Sequence, residues 1–194
     1  MTGLPSRPSP ALPTRMTRPT GPQPPGSHPP PGPPNPLTDP VFVAGLRPIP
    51  SGPRAGGDES PAEDLVGEDP TGRPIEVRLG ALDGPVLLCF LHIRCDGCQE
   101  FWSGLGEGQG LDLGPVSVVA VTKGAGSVDR DEVARAAVGV TGVPVVMSED
   151  AWVDYRVTGY PFFVLVDPLA RTVVAETVGF GWPDVRSMIR AAGY

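Results

Sequence analysis

Apolar and polar residues follow two different periods from Arg73 to the end of the chain. Residues 74–79 alternate at every second position, as a half-buried strand does. Residues 86–91 are a run of six apolar residues, which is typical of a strand covered on both faces. The same reasoning predicts further strands at residues 116–121, 143–147, 162–166 and 172–178. The last two flank a turn at residues 167–170 and are predicted to form an antiparallel hairpin.

Four helices are predicted between and after these strands. The first opens at Cys98 and is expected to be short, because each of its glycines costs about 1 kcal/mol relative to alanine. Capping signals at Asp129 and Ser148 begin the next two helices, which are predicted to end near residues 138 and 156. The last helix has Pro183 in its first turn, Gly193 as its stop and an apolar stripe at Val185, Met188, Ile189 and Ala192.

The predicted order of elements is β-β-α-β-α-β-α-β-β-α. A chain that alternates in this way buries its sheet by placing helices on both faces. The sequence therefore predicts an α/β domain over residues 73–194, a three-layer sandwich with a central mixed sheet. A domain of this size buries about two-thirds of the surface of its unfolded chain, enough for independent stability.

The first 72 residues have a different composition. Of the 27 prolines, 15 lie within residues 1–40, which contain no Phe, Trp or Tyr. Such a segment buries too little apolar surface to offset the entropy lost on ordering, so residues 1–40 are predicted to be a disordered, proline-rich tail. Residues 41–72 are predicted to be a linker with one short apolar island at residues 41–46. A chain that starts near Glu68 is therefore expected to keep its stability.

Charge and hydropathy argue against several classes of function. The net charge of −7 disfavours a nucleic-acid surface, which needs clustered Lys and Arg. No stretch approaches the roughly 18 consecutive apolar residues that span a bilayer. The arginines near the N-terminus are not followed by the apolar segment of a secretory signal. We therefore expect a cytoplasmic protein without a membrane span. A monomer is also our expectation.

The segment Cys95-Asp96-Gly97-Cys98 directly follows the predicted buried strand and opens the first predicted helix. A thiolate is the nucleophile in disulfide exchange, and a helix start stabilises one through its unpaired N–H groups and partial positive charge. Cys98 lies one turn further along, close enough to attack a mixed disulfide on Cys95. In a reducing compartment, a C-x-x-C pattern indicates redox catalysis or metal binding more often than a structural bridge.

A second motif, Gly159-Tyr160-Pro161, lies immediately before the predicted strand at residues 162–166. With residues 86–98, it resembles thioredoxin-like proteins, particularly the TlpA/ResA-type reductases, over about residues 73–194. The resemblance implies a thioredoxin-like fold and a thiol–disulfide oxidoreductase that uses Cys95 and Cys98 without a cofactor. It also implies a thiol- or disulfide-containing substrate and an electron donor as partners. In that family the proline, here Pro161, is cis and packs against the disulfide, and the residue before it, here Tyr160, contacts the substrate backbone.

Several positions near the motif depart from that family. Arg94 stands where Trp is usual, Cys89 stands where thioredoxins bury an acid, and Asp96-Gly97 replaces the usual pair between the cysteines. His92 and Arg94 are candidate stabilisers of the Cys95 thiolate, whereas Asp96 is expected to oppose it. Cys89 is expected to behave as a small core residue and His92 as a strand-end residue.

Three other functions stay open from the sequence. A peroxiredoxin has Thr three residues before its reactive cysteine, where this chain has His92. A metal-binding module would use His92, Cys95, Cys98 and Cys89, although structural zinc sites usually draw their ligands from two separated pairs. A redox-inactive interaction module would keep the fold without the chemistry.

Overall fold

Eight strands form one mixed sheet within the residues that the structure describes. The structure is a computed structural model, and it describes residues 51–53, 60–107 and 113–194. The strands are β1 (Ser51–Pro53), β2 (Leu65–Glu68), β3 (Pro74–Val77), β4 (Val86–Phe90), β5 (Ser117–Thr122), β6 (Val145–Met147), β7 (Phe162–Asp167) and β8 (Thr172–Val178). Their order across the sheet is β1-β8-β7-β4-β5-β6-β2-β3.

Four α-helices and one short 3-10 turn accompany the strands in this part of the chain. They are α1 (Asp96–Glu107), α2 (Arg130–Ala136), α3 (Glu149–Asp154), α4 (Trp182–Ala191) and the 3-10 turn Leu79–Ala81. From residue 74 onward, strands and α-helices follow one another in the predicted order. Within the described residues, no helix combines the length and the apolar character that crossing a membrane requires.

Strand β4 lies in the middle of the sheet, and the cysteine motif follows its carboxyl end. It pairs in parallel with β5 and antiparallel with β7, and all five of its residues are buried. Successive side chains of β4 point to opposite faces of the sheet and pack in two separate hydrophobic cores. Leu87 and Cys89 pack with α1 and α4 on one face, whereas Leu88 and Phe90 pack with α3 on the other. The predicted sheet between two layers of helices is confirmed.

The predicted starts of α2 and α3 are also confirmed. Asp129 accepts the N–H of Glu132 at 3.0 Å, and Ser148 accepts the N–H of Ala151 at 3.2 Å. Each helix therefore begins at a side chain that satisfies one of its unpaired N–H groups. Strands β7 and β8 pair antiparallel, as the predicted hairpin requires.

Helix α1 is longer than the sequence predicts. It begins at Asp96, before the predicted start, and continues through Gly104 and Gly106 to Glu107. The reason is packing between helices, because a Cβ atom at Gly104 would lie 2.2 Å from Nε1 of Trp182 in α4. Only glycine lets the Trp182 ring approach so closely, and burial of that ring offsets the low helix propensity of the position.

The linker prediction needs correction for residues 60–72, which belong to the folded domain. Strand β2 pairs with β3 along its length and meets β6 at Glu68. Ala62 and Leu65 are 1% and 0% exposed and pack in the core that α3 covers. The composition resembles that of a linker because glycine, proline and acidic residues surround these two apolar side chains.

Polar contacts also attach this segment to the domain. The hydroxyl of Tyr155 donates to the main-chain oxygen of Glu63 at 2.6 Å. Arg171 forms an ion pair with Asp64 at 3.2 Å, and Asp64 also accepts the N–H of Leu79 at 2.9 Å. The domain therefore includes residues before Arg73. The predictions of a disordered tail over residues 1–40 and of an apolar island at 41–46 lie outside the described residues.

Candidate active site

The two cysteines of the motif lie at the start of α1 and differ in exposure. Cys95 is partly buried and directly precedes Asp96, the first residue of the helix, whereas Cys98 is 0% exposed in the first turn. The N–H of Cys98 donates to the main-chain oxygen of Cys95 at 2.9 Å. One accessible and one buried thiol is the asymmetry that disulfide exchange uses, with the outer sulfur attacking and the inner one resolving.

The surroundings of Cys98 favour its protonated form. Burial raises the pKa of the Cys98 thiol to about 12, and its hydrogen bond with Cys95 acts in the same direction. The main-chain N–H of His92 donates to Cys98 Sγ at 3.4 Å and opposes part of this rise. Cys98 is therefore a neutral thiol near pH 7 in the reduced protein.

The loop with Tyr160 and Pro161 faces the cysteines across Gly97. A Cβ atom at Gly97 would lie 3.7 Å from Pro161 Cδ and 3.8 Å from Cys95 Sγ. The peptide bond between Tyr160 and Pro161 is cis, and the Tyr160 side chain is 43% exposed. The structure thus brings together the four residues that the sequence places in the site, Cys95, Cys98, Tyr160 and Pro161.

His92 connects this loop to the segment before the cysteines. Its ring stacks on that of Tyr160, with 4.7 Å between ring centroids and 13° between ring planes. Its Nδ1 accepts the N–H of Arg94 at 3.1 Å. Burial lowers the pKa of His92, and the positive charges of Arg94 and Lys123 lower it further. The ring is therefore mainly neutral near pH 7, with its proton on Nε2.

The Arg94 side chain forms an ion pair with a residue outside the cysteine motif. Its guanidinium binds the Glu132 carboxylate of α2 through two contacts, Nε to Oε2 at 3.0 Å and Nη2 to Oε1 at 3.1 Å. The Arg94 side chain is also 70% exposed, so water screens what remains of its field. Asp96 is exposed beside Cys95. Stabilisation of the Cys95 thiolate by Arg94 and its destabilisation by Asp96 stay predictions.

Cys89 lies away from solvent in the middle of β4. It is 0% exposed and stands in register between Ala120 of β5 and Phe163 of β7. Burial alone raises its pKa above the usual range of a thiol. Cys89 therefore behaves as the core residue that the sequence predicts.

Sequence reasoning missed a cluster at the strand ends next to the site. Lys123, which directly follows β5, places Nζ 4.7 Å from the centre of the Trp152 ring and 2.6 Å from the Glu149 carboxylate. The Trp152 ring meets that of Tyr160 edge-on, with centroids 5.9 Å apart. Strands β4, β5 and β6 run parallel, so the residues that follow them converge at one edge of the sheet. That rule is the signal that places Lys123 beside Glu149, and near enough to His92 for its charge to act on the imidazole.

The metal-binding alternative needs a cluster of ligands. Across the described residues, no group of three or more His, Cys, Asp or Glu side chains is arranged to hold a metal ion. Nδ1 of His92 is already engaged as the acceptor for Arg94.

Comparison with known proteins gives similarity in structure only. No protein-family model matches the chain, and no curated protein matches it in sequence. A structure described as that of the thiol:disulfide interchange protein DsbE from Chlorobium tepidum is similar, with a TM-score of 0.53 and 21% identity, over 71% of this chain and 99% of that one. A thio-disulfide isomerase from Thermus thermophilus has a TM-score of 0.52 and 18% identity, over 71% and 97% of the two chains.

A third similar structure is named for its fold. It is the thioredoxin domain of a thiol-disulfide oxidoreductase from Bacteroides vulgatus, with a TM-score of 0.50 and 19% identity, over 70% of this chain and 99% of that one. These similarities confirm the sequence-based expectation: the chain has a thioredoxin-like fold.

Proposed function

We propose that this protein is a thiol–disulfide oxidoreductase that uses Cys95 and Cys98 on thiols or disulfides of proteins or small molecules. The observation that carries the proposal is the pairing of a partly exposed Cys95 with a fully buried Cys98 at the start of α1. The position of Pro161 across Gly97 from Cys95 Sγ adds support, because it forms one wall of the approach to that sulfur.

The reaction that fits this geometry is reduction of a disulfide in two exchanges. The Cys95 thiolate attacks one sulfur of the substrate, forms a mixed disulfide and releases the other substrate sulfur as a thiolate. Cys98 then loses its proton and attacks Cys95 Sγ, which forms the Cys95–Cys98 disulfide and releases the second substrate thiolate. The substrate gains two electrons and the protein loses two. The two protons of the protein thiols pass, through solvent, to the substrate thiols.

A complete cycle needs an external thiol or dithiol as electron donor. It attacks the Cys95–Cys98 disulfide and returns both cysteines to thiols by the reverse pair of exchanges. The same two steps run backwards oxidise a substrate dithiol, so the relative potentials of the partners set the direction.

Trapping the mixed disulfide tests this proposal. In a Cys98→Ser variant the second exchange cannot occur, so incubation with an oxidised disulfide protein such as insulin should accumulate a covalent adduct on Cys95. Mass mapping of the adduct under non-reducing conditions identifies the attached cysteine. Cys95→Ser should form no adduct, and a Cys89→Ser, Cys98→Ser double variant should form as much as Cys98→Ser alone.

Two results would contradict the proposal. If the adduct forms through Cys89, the assigned nucleophile is wrong. If neither Cys98→Ser nor the wild-type protein reacts with any disulfide, the fold serves binding without redox chemistry, which is the interaction-module alternative.

A further inference from the structure

His92 contacts both sides of the site. Its main-chain N–H donates to Cys98 Sγ at 3.4 Å, and its Nδ1 accepts the N–H of Arg94, the residue before Cys95, at 3.1 Å. Its ring stacks on Tyr160, with centroids 4.7 Å apart. One residue thus touches the buried thiol, the turn that leads to the accessible thiol and the loop on the opposite side.

The stack matters because Tyr160 has few other contacts of the same kind. Its side chain is 43% exposed, and Trp152 meets it edge-on at 5.9 Å between centroids. Aromatic pairs stabilise a structure beyond the area that they bury. The His92 ring is therefore the parallel partner that holds an otherwise solvent-exposed ring beside the cysteines.

The hydrogen bond to Arg94 requires a neutral imidazole. Nδ1 accepts a hydrogen bond only while it carries no proton itself. The charged groups that act on His92 are Arg94 in the same loop, Lys123 after β5 and Glu132 on α2; the first two disfavour protonation and the third favours it. Protonation of Nδ1 would set two N–H groups against each other and break the turn before Cys95.

We propose that the His92 side chain is a positioning residue that holds the turn before Cys95 and the Tyr160 ring in register, so that Cys98 can attack a mixed disulfide on Cys95. This inference rests on the proposed function. His92 takes no part in bond making; it fixes the distance and angle at which the two sulfurs meet. A misplacement of about 1 Å in such a step costs up to roughly a hundredfold in rate.

Three substitutions separate the two contacts of the side chain. His92→Phe keeps a ring for stacking on Tyr160 and removes the acceptor for the Arg94 N–H. His92→Asn keeps an oxygen that can accept an N–H two residues further on, and it removes the ring. His92→Ala removes both. Leu169→Ala, at a 90% exposed position in the β7–β8 turn, is the matched control.

A dithiobis-nitrobenzoate probe measures attack and resolution in one experiment. The Cys95 thiolate attacks the probe disulfide and releases one coloured thionitrobenzoate anion. Cys98 then attacks Cys95 Sγ, forms the intramolecular disulfide and releases the second anion, so that the probe gains the two electrons that the protein loses. The first release reports the reactivity of Cys95, whereas the second reports its alignment with Cys98.

Loss of positioning slows the second release alone. His92→Ala should leave the rate of the first release within about twofold of wild type and lower the rate of the second about tenfold. For His92→Phe and His92→Asn, the rate of the second release should lie between those of wild type and His92→Ala. Below the usual pKa of histidine, the second rate of wild type should fall relative to that of His92→Phe, which has no imidazole to protonate. Leu169→Ala should match wild type at every pH.

The possible failures are distinct. If wild type releases both anions and all three His92 variants do so at the same rates, the positioning role is refuted while the proposed function stands. Equal slowing of both releases means that His92 only supports the fold, and it too refutes positioning. If wild type never releases the second anion, the dithiol chemistry fails, and the role of His92 fails with it.

Discussion

Gly104 of α1 lies against Trp182 of α4 so closely that a Cβ atom would stand 2.2 Å from the indole Nε1 and 3.0 Å from Cδ1 and Cε2. The Trp182 ring is 7% exposed and meets Phe101 edge-on, with centroids 5.1 Å apart. The ring therefore has little freedom to retreat. This contact fixes the packing of α1, the helix that begins beside Cys95.

We expect Gly104→Ala to destabilise the domain although alanine favours helix. Overpacking a well-filled core costs about 1–3 kcal/mol, and the gain in helix propensity returns about 1 kcal/mol of it. The free energy of unfolding should therefore fall by up to about 2 kcal/mol. Urea denaturation followed by tryptophan fluorescence measures this change.

Gly106→Ala is the matched control for that change. It lies on the same helix, and its Cβ would lie 3.7 Å from the nearest atom, the main-chain carbon of Gly139, which is an ordinary contact. Gly106→Ala should be neutral or stabilising. Equal effects of the two substitutions would show that the contact with Trp182 does not limit position 104.

Residues 60–67, which include most of β2, should be essential for stability, in contrast to the expectation from composition. A chain that starts at Glu68 lacks Leu65, which is completely buried, and the main-chain oxygen that accepts the Tyr155 hydroxyl. Losing a buried leucine removes about 1.5–3 kcal/mol, and an unpaired buried hydroxyl costs about 1–3 kcal/mol. The thermal midpoint of the chain that starts at Glu68 should be lower by about 10 °C or more than that of a chain that starts at Ser60. Equal midpoints for the two chains would contradict this.

The sequence predicts those parts of the fold in which a local pattern is strong. The apolar run at residues 86–91 and the capping residues Asp129 and Ser148 carry enough local information to set β4 and the starts of α2 and α3. The length of α1 depends instead on a contact with Trp182, far away along the chain, which propensity does not register.

The site divides in the same way. The positions of Cys95 and Cys98 follow from a motif placed between a strand and a helix, so the sequence is sufficient to find them. The stack of His92 on Tyr160 and the pairing of Arg94 with Glu132 join residues far apart in sequence. Such partners become visible only once the strand order is known. Strand β7 runs antiparallel to β4, so its amino end, next to Tyr160, lies beside the carboxyl end of β4, next to His92. Helix α2 follows β5, which is parallel to β4, so it begins at the same edge of the sheet.

Alkaline pH should destabilise the reduced protein, and Cys89 should contribute to the loss. Burial raises the pKa of Cys89, so above about pH 9 the unfolded chain releases a proton that the folded chain retains. Stability from this group is complete below the pKa of the unfolded thiol and falls by about 1.4 kcal/mol per pH unit above it. Cys98 and Tyr155, whose pKa values burial also raises, act in the same direction.

Cys89→Val isolates that contribution, since valine keeps an apolar side chain and cannot titrate. The free energy of unfolding should fall less steeply between pH 9 and pH 11 in Cys89→Val than in wild type. The two slopes should differ by the contribution of about one proton, which is about 1.4 kcal/mol per pH unit. Urea denaturation at a series of pH values, with a reductant present, measures both slopes. Parallel curves would mean that Cys89 does not stay protonated in the folded protein.

Because glycine has no side chain, Gly97 should leave room for substrates to reach Cys95. An added methyl group would lie 3.8 Å from Cys95 Sγ and 3.7 Å from Pro161 Cδ, an ordinary contact with each atom. Gly97→Ala should therefore fold and gain up to about 1 kcal/mol in helix propensity. The methyl group narrows the approach to the sulfur between the two loops, so reduction of insulin should slow by roughly threefold or more.

Comparing a small reagent with a large substrate distinguishes hindered access to Cys95 from a changed reactivity of its thiol in Gly97→Ala. Iodoacetamide is small, so alkylation of Cys95 should change less than insulin reduction does. Gly106→Ala again serves as the control, with a similar change in helix propensity and no thiol nearby. Unchanged insulin reduction in Gly97→Ala would show that substrates approach Cys95 from another side.

The charge at Asp96 should make the dithiol more reducing. Asp96 is exposed at the first position of α1, next to Cys95, while the guanidinium of Arg94 is bound to Glu132. The negative charge therefore opposes the thiolate without a free positive charge beside it. Asp96→Asn should stabilise the thiolate, hence the reduced form, and raise the reduction potential by about 10–30 mV.

Equilibration with glutathione buffers measures the potential of each variant directly. High salt should shrink the difference between Asp96→Asn and wild type, because water and ions screen an exposed charge. Glu132→Gln provides an independent check, since it frees the positive charge of Arg94 and should also raise the potential. Glu100→Gln, further along α1, should have a smaller effect than Asp96→Asn. A lower potential in Asp96→Asn would refute the charge argument, because removing a negative charge beside a sulfur can only favour its thiolate.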